Sequence, residues 1–327
     1  MKLAIGLITY NNFSAKYLPY FMKSLASQDC QDFELLVGDN SEKSENQNKN
    51  FFSNCKFSFF SLKNNFFWNE HNFGFGKAYN ELLKKAVDHG AEYFLIINPD
   101  VKLKKDAIRI MISCLENNKN LASVSPKILK WDFENQEKGK AAMNDDSIID
   151  SCGMRLLPGL RFVDIGQGEI DFGQFDEVDI LGPSGACGMF RLSFLENIKD
   201  DDQYFDELMF MYKEDCDLNY RLFLKGYKSK LLPNAIAYHD RTVSGKGESG
   251  LQIFKNRKNK SKQARVWSMI NQQIIYWKYW RVINWKDKIF LIWNQCQFLF
   301  NMIFFEQFLF LHLWEMRKKC SQAKIFG

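Results

Sequence analysis

Short, continuously apolar runs alternate along the chain with stretches in which apolar residues recur every three or four positions. The first run, LAIGLIT at 3–9, is what a strand buried on both faces of a parallel sheet requires. Behind it the pattern predicts a helix at 17–27, a strand at 33–38, a third strand at 56–62 and a helix at 77–89. A strand at 93–98, a helix at 104–117 and a strand at 122–125 follow. Strands and helices alternating at this spacing predict βαβ units with right-handed crossovers, and so an α/β fold.

From 128 to 180 the pattern weakens as Gly, Asp and Asn accumulate, which predicts irregular loops and short strands in a substrate-facing insertion. Order returns at 181–195, followed by a helix at 214–225 stopped by Gly226 and a strand at 228–232. The first unit therefore closes near residue 245, with one half at 1–100 and a second at 101–245. A Gly-, Lys- and Asn-rich linker is expected at 246–261, then a tail at 262–327 built from two long helices, 262–283 and 286–318.

Composition changes this picture mainly in the tail. With 46% hydrophobic and 25% charged residues the chain is a folded protein, not a disordered one. Its net charge of +5 is unevenly spread: residues 255–327 hold 14 Lys and Arg against Asp287, Glu306 and Glu315, whereas the other 254 hold 30 basic and 36 acidic side chains. Six of the eight Trp also lie in the tail, and a basic, aromatic segment suits an anionic membrane surface. Residues 289–305 carry no charge but are interrupted by amides, and a spanning helix wants about 20 apolar residues; helices lying on the membrane or packing on another subunit, such as a homodimer partner, are expected instead. The eight Cys form no C-x-x-C pair, which suits a reduced, cytosolic setting. The apolar stretch at 3–9 is too short for a signal-peptide core. A cytoplasmic protein, peripheral at the inner face of the cell membrane, is the expectation, with no nucleic-acid partner.

In open α/β sheets, ligands bind outside the carboxyl ends of the strands. Those ends carry Thr9-Tyr10-Asn11-Asn12, Asp39-Asn40-Ser41 and Asn98-Pro99-Asp100, and a later apolar stretch leads into Gly182-Pro183-Ser184-Gly185-Ala186. Each alone fits ordinary turn chemistry. Together they suit a nucleotide diphosphate sugar. Asp39 offers an acceptor for a pyrimidine imide N–H. A diphosphate calls for a divalent cation on ligands such as Asp100, with His239 as a further ligand, so that the leaving group is stabilised without protonation. The glycines of Asn72-Phe73-Gly74-Phe75-Gly76-Lys77, ahead of the helix, let backbone approach the donor while Lys77 offers charge. Glu214, Asp215 and Asp217 crowd a helix N-terminus, whose dipole offsets part of their repulsion. Asp215 is the expected base for an acceptor hydroxyl, and Asp217 with Arg221 an expected structural ion pair. The competing reading of these acids is a solvated helix cap.

Taken in order, Thr9-Tyr10-Asn11, Asp39-Asn40-Ser41, Asn72-Phe73-Gly74-Phe75-Gly76, Asn98-Pro99-Asp100, Ser184-Gly185-Ala186, Phe205-Asp206-Glu207, Glu214-Asp215-Cys216-Asp217-Leu218 with Arg221, and His239 with Ser244 resemble the motifs of family 2 glycosyltransferases of the GT-A fold. The branch they look most like is the bacterial rhamnosyltransferase-like one of cell-surface polysaccharide assembly. The resemblance covers residues 1–244 and implies a mixed, mainly parallel sheet flanked by helices, to which the tail adds a C-terminal helical extension. It implies inverting transfer from a UDP- or dTDP-sugar to a glycan or lipid-linked acceptor, with Mg²⁺ or Mn²⁺. Asp100 is similar to the retained carboxylate of the family's metal motif, Asn98 standing where its first carboxylate usually is, and His239 is similar to the late metal-binding histidine. Asp215 falls at the position of the base. Thr9, Asp39 and Asn72 fall where the nucleotide is held, Ser184 and Gly185 line the cleft, and Tyr10, Asn11, Lys77 and Asn98 complete the expected nucleotide-sugar set. Two rival classes are a catalytically silent nucleotide-sugar or glycan-binding scaffold, disfavoured by Asp100, Asp215 and His239 together, and a nucleotidyltransferase, whose Gly- and Arg-rich phosphate loop is missing after the first strand.

Overall fold

A computed structural model describes residues 2–137, 144–241 and 260–326. The nucleotide-side half runs β1 (Leu3–Thr9), α1 (Asn11–Ala15), α2 (Leu18–Ala26), β2 (Phe33–Asp39), α3 (Gln47–Ser53), α4 (Leu62–Asn65), β3 (Phe66–Trp68), α5 (Gly74–Asp88) and β4 (Tyr93–Ile97). The second half runs β5 (Val101–Leu103), α6 (Ala107–Asn117), β6 (Leu121–Trp131), α7 (Phe133–Glu137), β7 (Asn144–Ser151), β8 (Met154–Leu157), β9 (Arg161–Asp164), β10 (Asp179–Ile180), β11 (Cys187–Arg191), α8 (Leu192–Glu196), α9 (Glu214–Leu224) and β12 (Lys228–His239). The tail forms α10 (Lys262–Tyr279), α11 (Trp285–Phe304), a 3₁₀ turn (Gln307–His312) and α12 (Leu313–Gln322).

A 10-stranded sheet has the order β10-β12-β6-β11-β4-β1-β2-β3, with β5 on β12 and β7 on β6. β3, β2, β1 and β4 are parallel, the apolar runs having predicted β1, β2 and β4, and β11 enters antiparallel between β4 and β6. One apolar layer, with Leu3, Ile5 and Leu7, packs against α2 and α6; the other, with Ala4, Leu36 and Phe94, packs against α5 and α9. This mixed, helix-flanked sheet with its C-terminal helices is the expected GT-A architecture.

Several expected elements fall elsewhere, each for a visible reason. Residues 56–62 form no strand: Phe57 bridges Phe60, and Phe59 and Phe60 turn inward onto Phe33 and Phe52 with ring centroids 4.8 and 5.0 Å apart. Their aromatic pattern closes the core, and the edge strand is Phe66–Trp68. The glycine segment expected ahead of α5 lies inside it. Helix α5 starts at Gly74, whose φ of +75° and closeness to the Phe210 carbonyl, 2.2 Å from where a Cβ would stand, exclude other residues. Strands β6 and β12 run well past 125 and 232. Pro126 lacks an N–H for the ladder, and the register shifts between Leu232 and Ile236 beside it, so Pro233 interrupts the pairing without ending the strand. The insertion is more regular than expected, with β7 on the main sheet and β8–β9 as a separate hairpin.

In the tail, the single helix expected at 286–318 is broken. Glu306 is buried against Arg265 of α10 at 3.0 Å, and the chain bends by 112° around it to keep that carboxylate inside. Nor is the tail a separate appendage: Val266, Ile270, Ile274 and Tyr279 share one apolar cluster with Met209, Cys216 and Tyr220 of the first unit. Residues 246–259 of the expected linker, and Ser244, lie outside the described residues.

Candidate active site

The carboxyl ends of β1, β2 and β4 open at one edge of the sheet. β11, being antiparallel, begins there, with Cys187 opposite Ile97. The segment leading into β11 therefore meets the one leaving β4: Asn98 N donates to Ala186 O at 2.9 Å. Next to Ala186, Gly185 N donates to Asp215 Oδ2 at 3.0 Å, and a Cβ on Gly185 would already stand 3.0 Å from that oxygen. Ser184 is buried in the same turn, its Oγ 3.5 Å from Ala186 N.

Asp215 stands in the first turn of α9, which follows two consecutive non-glycine residues in the left-handed region, Tyr212 (φ 73°) and Lys213 (φ 72°). Such positions cost on the order of 1–3 kcal/mol each and persist where the surroundings enforce them. Here Asn271 of α10 enforces them, its Nδ2 donating to the carbonyls of Met211 at 2.9 Å and Tyr212 at 2.7 Å. Asp215 Oδ1 accepts from Cys216 N at 2.8 Å. Burial raises the Asp215 pKa, the Gly185 N–H draws it partly back, and Asp164 adds to the rise, leaving a carboxyl more basic than usual. Its neighbour Glu214 is raised well above the ordinary range by burial and by Asp215, and its Oε2 has no hydrogen-bond partner among the described residues.

β12 delivers His239 to the same edge, paired with Val101 just beyond Asp100. His239 Nε2 lies 3.4 Å from Asp100 Oδ1, and its Nδ1 lies 2.8 Å from Asp150 Oδ2. Arg241, two residues on, bonds Asp150 at 3.0 Å and Asp164 at 3.0 Å. Burial alone would lower His239, but Asp100 and Asp150 outweigh it and lift its pKa to about 10. Burial alone would raise Asp150, but Arg241 and His239 hold it below its usual value. Asp150, Asp164 and Arg241 were not found from sequence. Asp150 meets His239 across 89 positions; only Arg241, just past a strand end, carried any local signal.

Among the described residues no group of three or more His, Cys, Asp and Glu side chains is placed to hold a metal ion. Asp100 nonetheless offers the carboxylate on which a Mg²⁺ or Mn²⁺ shell of phosphate oxygens and water is commonly built, and the His239 nitrogen 3.4 Å from it suits the transition metal of the two. With Nδ1 committed to Asp150, Nε2 faces the Asp100 carboxylate, the arrangement in which an outer carboxylate fixes the tautomer of a ligating histidine.

The nucleotide-side residues form a second group. Asp39 is fully enclosed: Thr9, Ser41 and Asn48 donate to Oδ1 at 2.8, 2.7 and 3.3 Å, and Asn46 to Oδ2 at 2.7 Å. Both Asp39 oxygens are thus already engaged within the protein; Asn46 and Asn48 were also missed from sequence. Asn11 (φ 43°) donates its N–H to Ser41 Oγ at 2.8 Å, and the Tyr10 hydroxyl lies 3.5 Å from Glu42 Oε1. Asn72 caps α5 by accepting from Gly74 N at 2.9 Å and also from Asn40 at 3.2 Å. Lys77 sits in the first turn of α5 with its Nζ 4.5 Å from the Phe73 ring centroid. Asp217 is fully buried, bonded to Arg221 at 2.9 Å as expected and to Lys278 and Tyr279 of α10, each at 2.7 Å.

The family model for glycosyl transferase family 2 matches residues 4–198. No curated protein sequence matches the chain. Among solved structures, S. aureus TarS is similar at 16% identity and a TM-score of 0.49, over 85% of this chain and 44% of TarS. The chain thus spans less than half of that protein. TarS 1–349 in complex with UDP-GlcNAc is similar at 19% identity and a TM-score of 0.45, over 84% of this chain and 66% of that one. GalNAc-T7 with UDP, GalNAc and Mn²⁺ is similar at 11% identity and a TM-score of 0.52, over 85% of this chain and 50% of that one, a likeness of fold.

Proposed function

This chain belongs to glycosyl transferase family 2, and on that premise we propose that it moves a sugar from a nucleotide diphosphate donor onto a hydroxyl of a glycan or lipid-linked acceptor. The observation that carries the reading is Asp215, a half-buried carboxylate of raised pKa held by Gly185 N–H on the segment bonded to Asn98, two residues from the Asp100–His239 pair. Its two oxygens accept one backbone bond each, so lone pairs remain for an incoming hydroxyl.

In this reaction the acceptor oxygen attacks the anomeric carbon and its proton passes to Asp215, while the bond from that carbon to the diphosphate oxygen breaks and the nucleoside diphosphate leaves. Attack opposite the leaving group inverts the anomeric centre. Asp100 and His239 would hold Mg²⁺ or Mn²⁺, whose charge stabilises the departing diphosphate when bound. UDP- and dTDP-sugars are the donors favoured by the motif order, with rhamnose or another hexose transferred and cell-surface polysaccharide as the product class. The test offers the full chain a panel of UDP- and dTDP-sugars with Mn²⁺ and measures nucleoside diphosphate release. One donor should stand out. In Asp215→Asn its turnover should fall by about 10²–10⁴-fold with donor affinity kept; full turnover in that variant would remove Asp215 from the role.

A further inference from the structure

Helix α11 turns an apolar stripe to the outside. Leu291 and Met302 are buried, and Gln295 between them exchanges amide hydrogen bonds with Gln273 of α10 at 2.6 and 3.0 Å. The opposite face carries Ile289, Ile292, Trp293, Phe300, Ile303 and Phe304 at helical spacing, all exposed, Trp293 by 61%. An ordinary surface helix shows the reverse arrangement. Beyond the bend, Phe310, Leu311 (84% exposed) and Trp314 are exposed as well. An apolar surface this continuous marks a site of interaction.

Charge decides between the two occupants that suit it, a second copy of this chain or a bilayer. Arg281, Lys286 and Lys318 border the stripe in solvent, with the Lys286 and Lys318 ammonium groups 5.8 and 5.6 Å from the ring centroids of Trp285 and Trp314. The three acids of the segment are engaged: Asp287 with Gly159 N, Glu306 with Arg265, and Glu315 with His312. Two copies meeting here would appose their basic rims. Anionic headgroups would neutralise them, and Trp rings beside Lys ammonium groups fit the headgroup depth.

We propose that the outer face of α11 and the segment after it dock on an anionic lipid bilayer, lying in the interface with the apolar stripe at the acyl boundary. No single helix among the described residues is long and apolar enough to cross a membrane, and the 112° bend lets both arms lie along the surface. On the inner side of α11, Asp287 ties the helix to the β8–β9 turn at Gly159. Asp164, at the far end of β9, is five residues from Gly159, roughly 17 Å along an extended strand, so docking brings the cleft near the lipid surface. The docking does not depend on which reaction the cleft performs.

Because α10 helps close the core, the test uses the full chain and vesicle flotation, which separates binding from aggregation. The protein should float with phosphatidylcholine–phosphatidylglycerol vesicles and much less with phosphatidylcholine alone. Trp293→Ser/Phe300→Ser/Phe304→Ser should bind about a hundredfold more weakly, and Lys286→Glu/Lys318→Glu about tenfold, both with the thermal melt of the parent because the replaced side chains are solvent-facing. Failure of the parent to float, equal flotation with neutral lipid, undiminished flotation of the triple variant, or a solution dimer that the triple variant splits would each overturn the proposal.

Discussion

Two buried charge clusters flank α9, and they differ in a way that separates architecture from chemistry. Between the first unit and α10, Asp206 and Asp217 face Arg221 and Lys278, two acids against two bases, all in contact. The remaining donors are satisfied as well: Arg221 bonds the Ile198 and Tyr204 carbonyls, and the Tyr279 hydroxyl donates to Asp217. At the sheet edge, Asp100, Asp150 and Asp164 face only Arg241 and an imidazole that is uncharged in its ordinary form. The first cluster is electrically closed. The second is two cations short: a proton on His239, favoured by Asp100 and Asp150, makes up one of them, and a divalent ion taking Nε2 would displace that proton. Saturated clusters weld; unsaturated ones invite a ligand.

The largest expected effect breaks the closed cluster. In Asp217→Asn, Arg221 loses its direct counter-charge and Lys278 keeps only Asp206, and unfolding should become easier by about 3–5 kcal/mol, read from denaturant or thermal melts. Burial alone would raise Asp217, but Lys278 and Arg221 outweigh it and bring its pKa to about 2. Its folded pKa is thus below the unfolded value of about 3.9, so its contribution is present above that value and is lost as pH falls through about 2. The gap between wild type and variant should therefore narrow between those limits; a constant gap would mean the charge is not what stabilises. A smaller effect is expected at the open cluster. Asp150→Asn removes the carboxylate that orients His239, and Mn²⁺ affinity measured by calorimetry should fall about 10–100-fold. Unchanged affinity would show that Asp150 does not set the ligand's tautomer.

How much of this contrast was legible in the sequence follows from range. Continuous apolar runs foretold β1, β2 and β4, because burial on both faces leaves no room for polar residues; strand-end chemistry singled out Asp100 and His239, and the crowded acids of a helix N-terminus singled out Asp215. The Asp217–Arg221 pair was readable because four residues are one helical turn. Lys278 and Tyr279 were not, being some 60 positions away on a tail that looked like a free appendage. Asp150 and Asp164 looked like loop acids in an insertion rich in Asp and Asn, and nothing local distinguished them. The aromatic run at 56–62 misled because alternation marks a strand only when one face meets solvent, and here Phe59 and Phe60 both turn into the core.

The smallest predicted effect lies where the two clusters are joined. Asn271 belongs to α10 but holds the left-handed turn that aims Asp215, so the helix welded by the closed cluster also positions the candidate base. Asn271→Ala frees the Met211 and Tyr212 carbonyls and should cost about 1–2 kcal/mol of stability. A purely structural role would end there. If the turn positions Asp215, kcat should fall several-fold while KM for the donor stays put, because the residues proposed to hold the nucleotide follow β1 and β2, on the far side of β4 from β11. A variant that lost stability but kept kcat would leave α10 as a brace alone. A variant that lost kcat in proportion to KM would mean that the turn shapes donor binding rather than the attack.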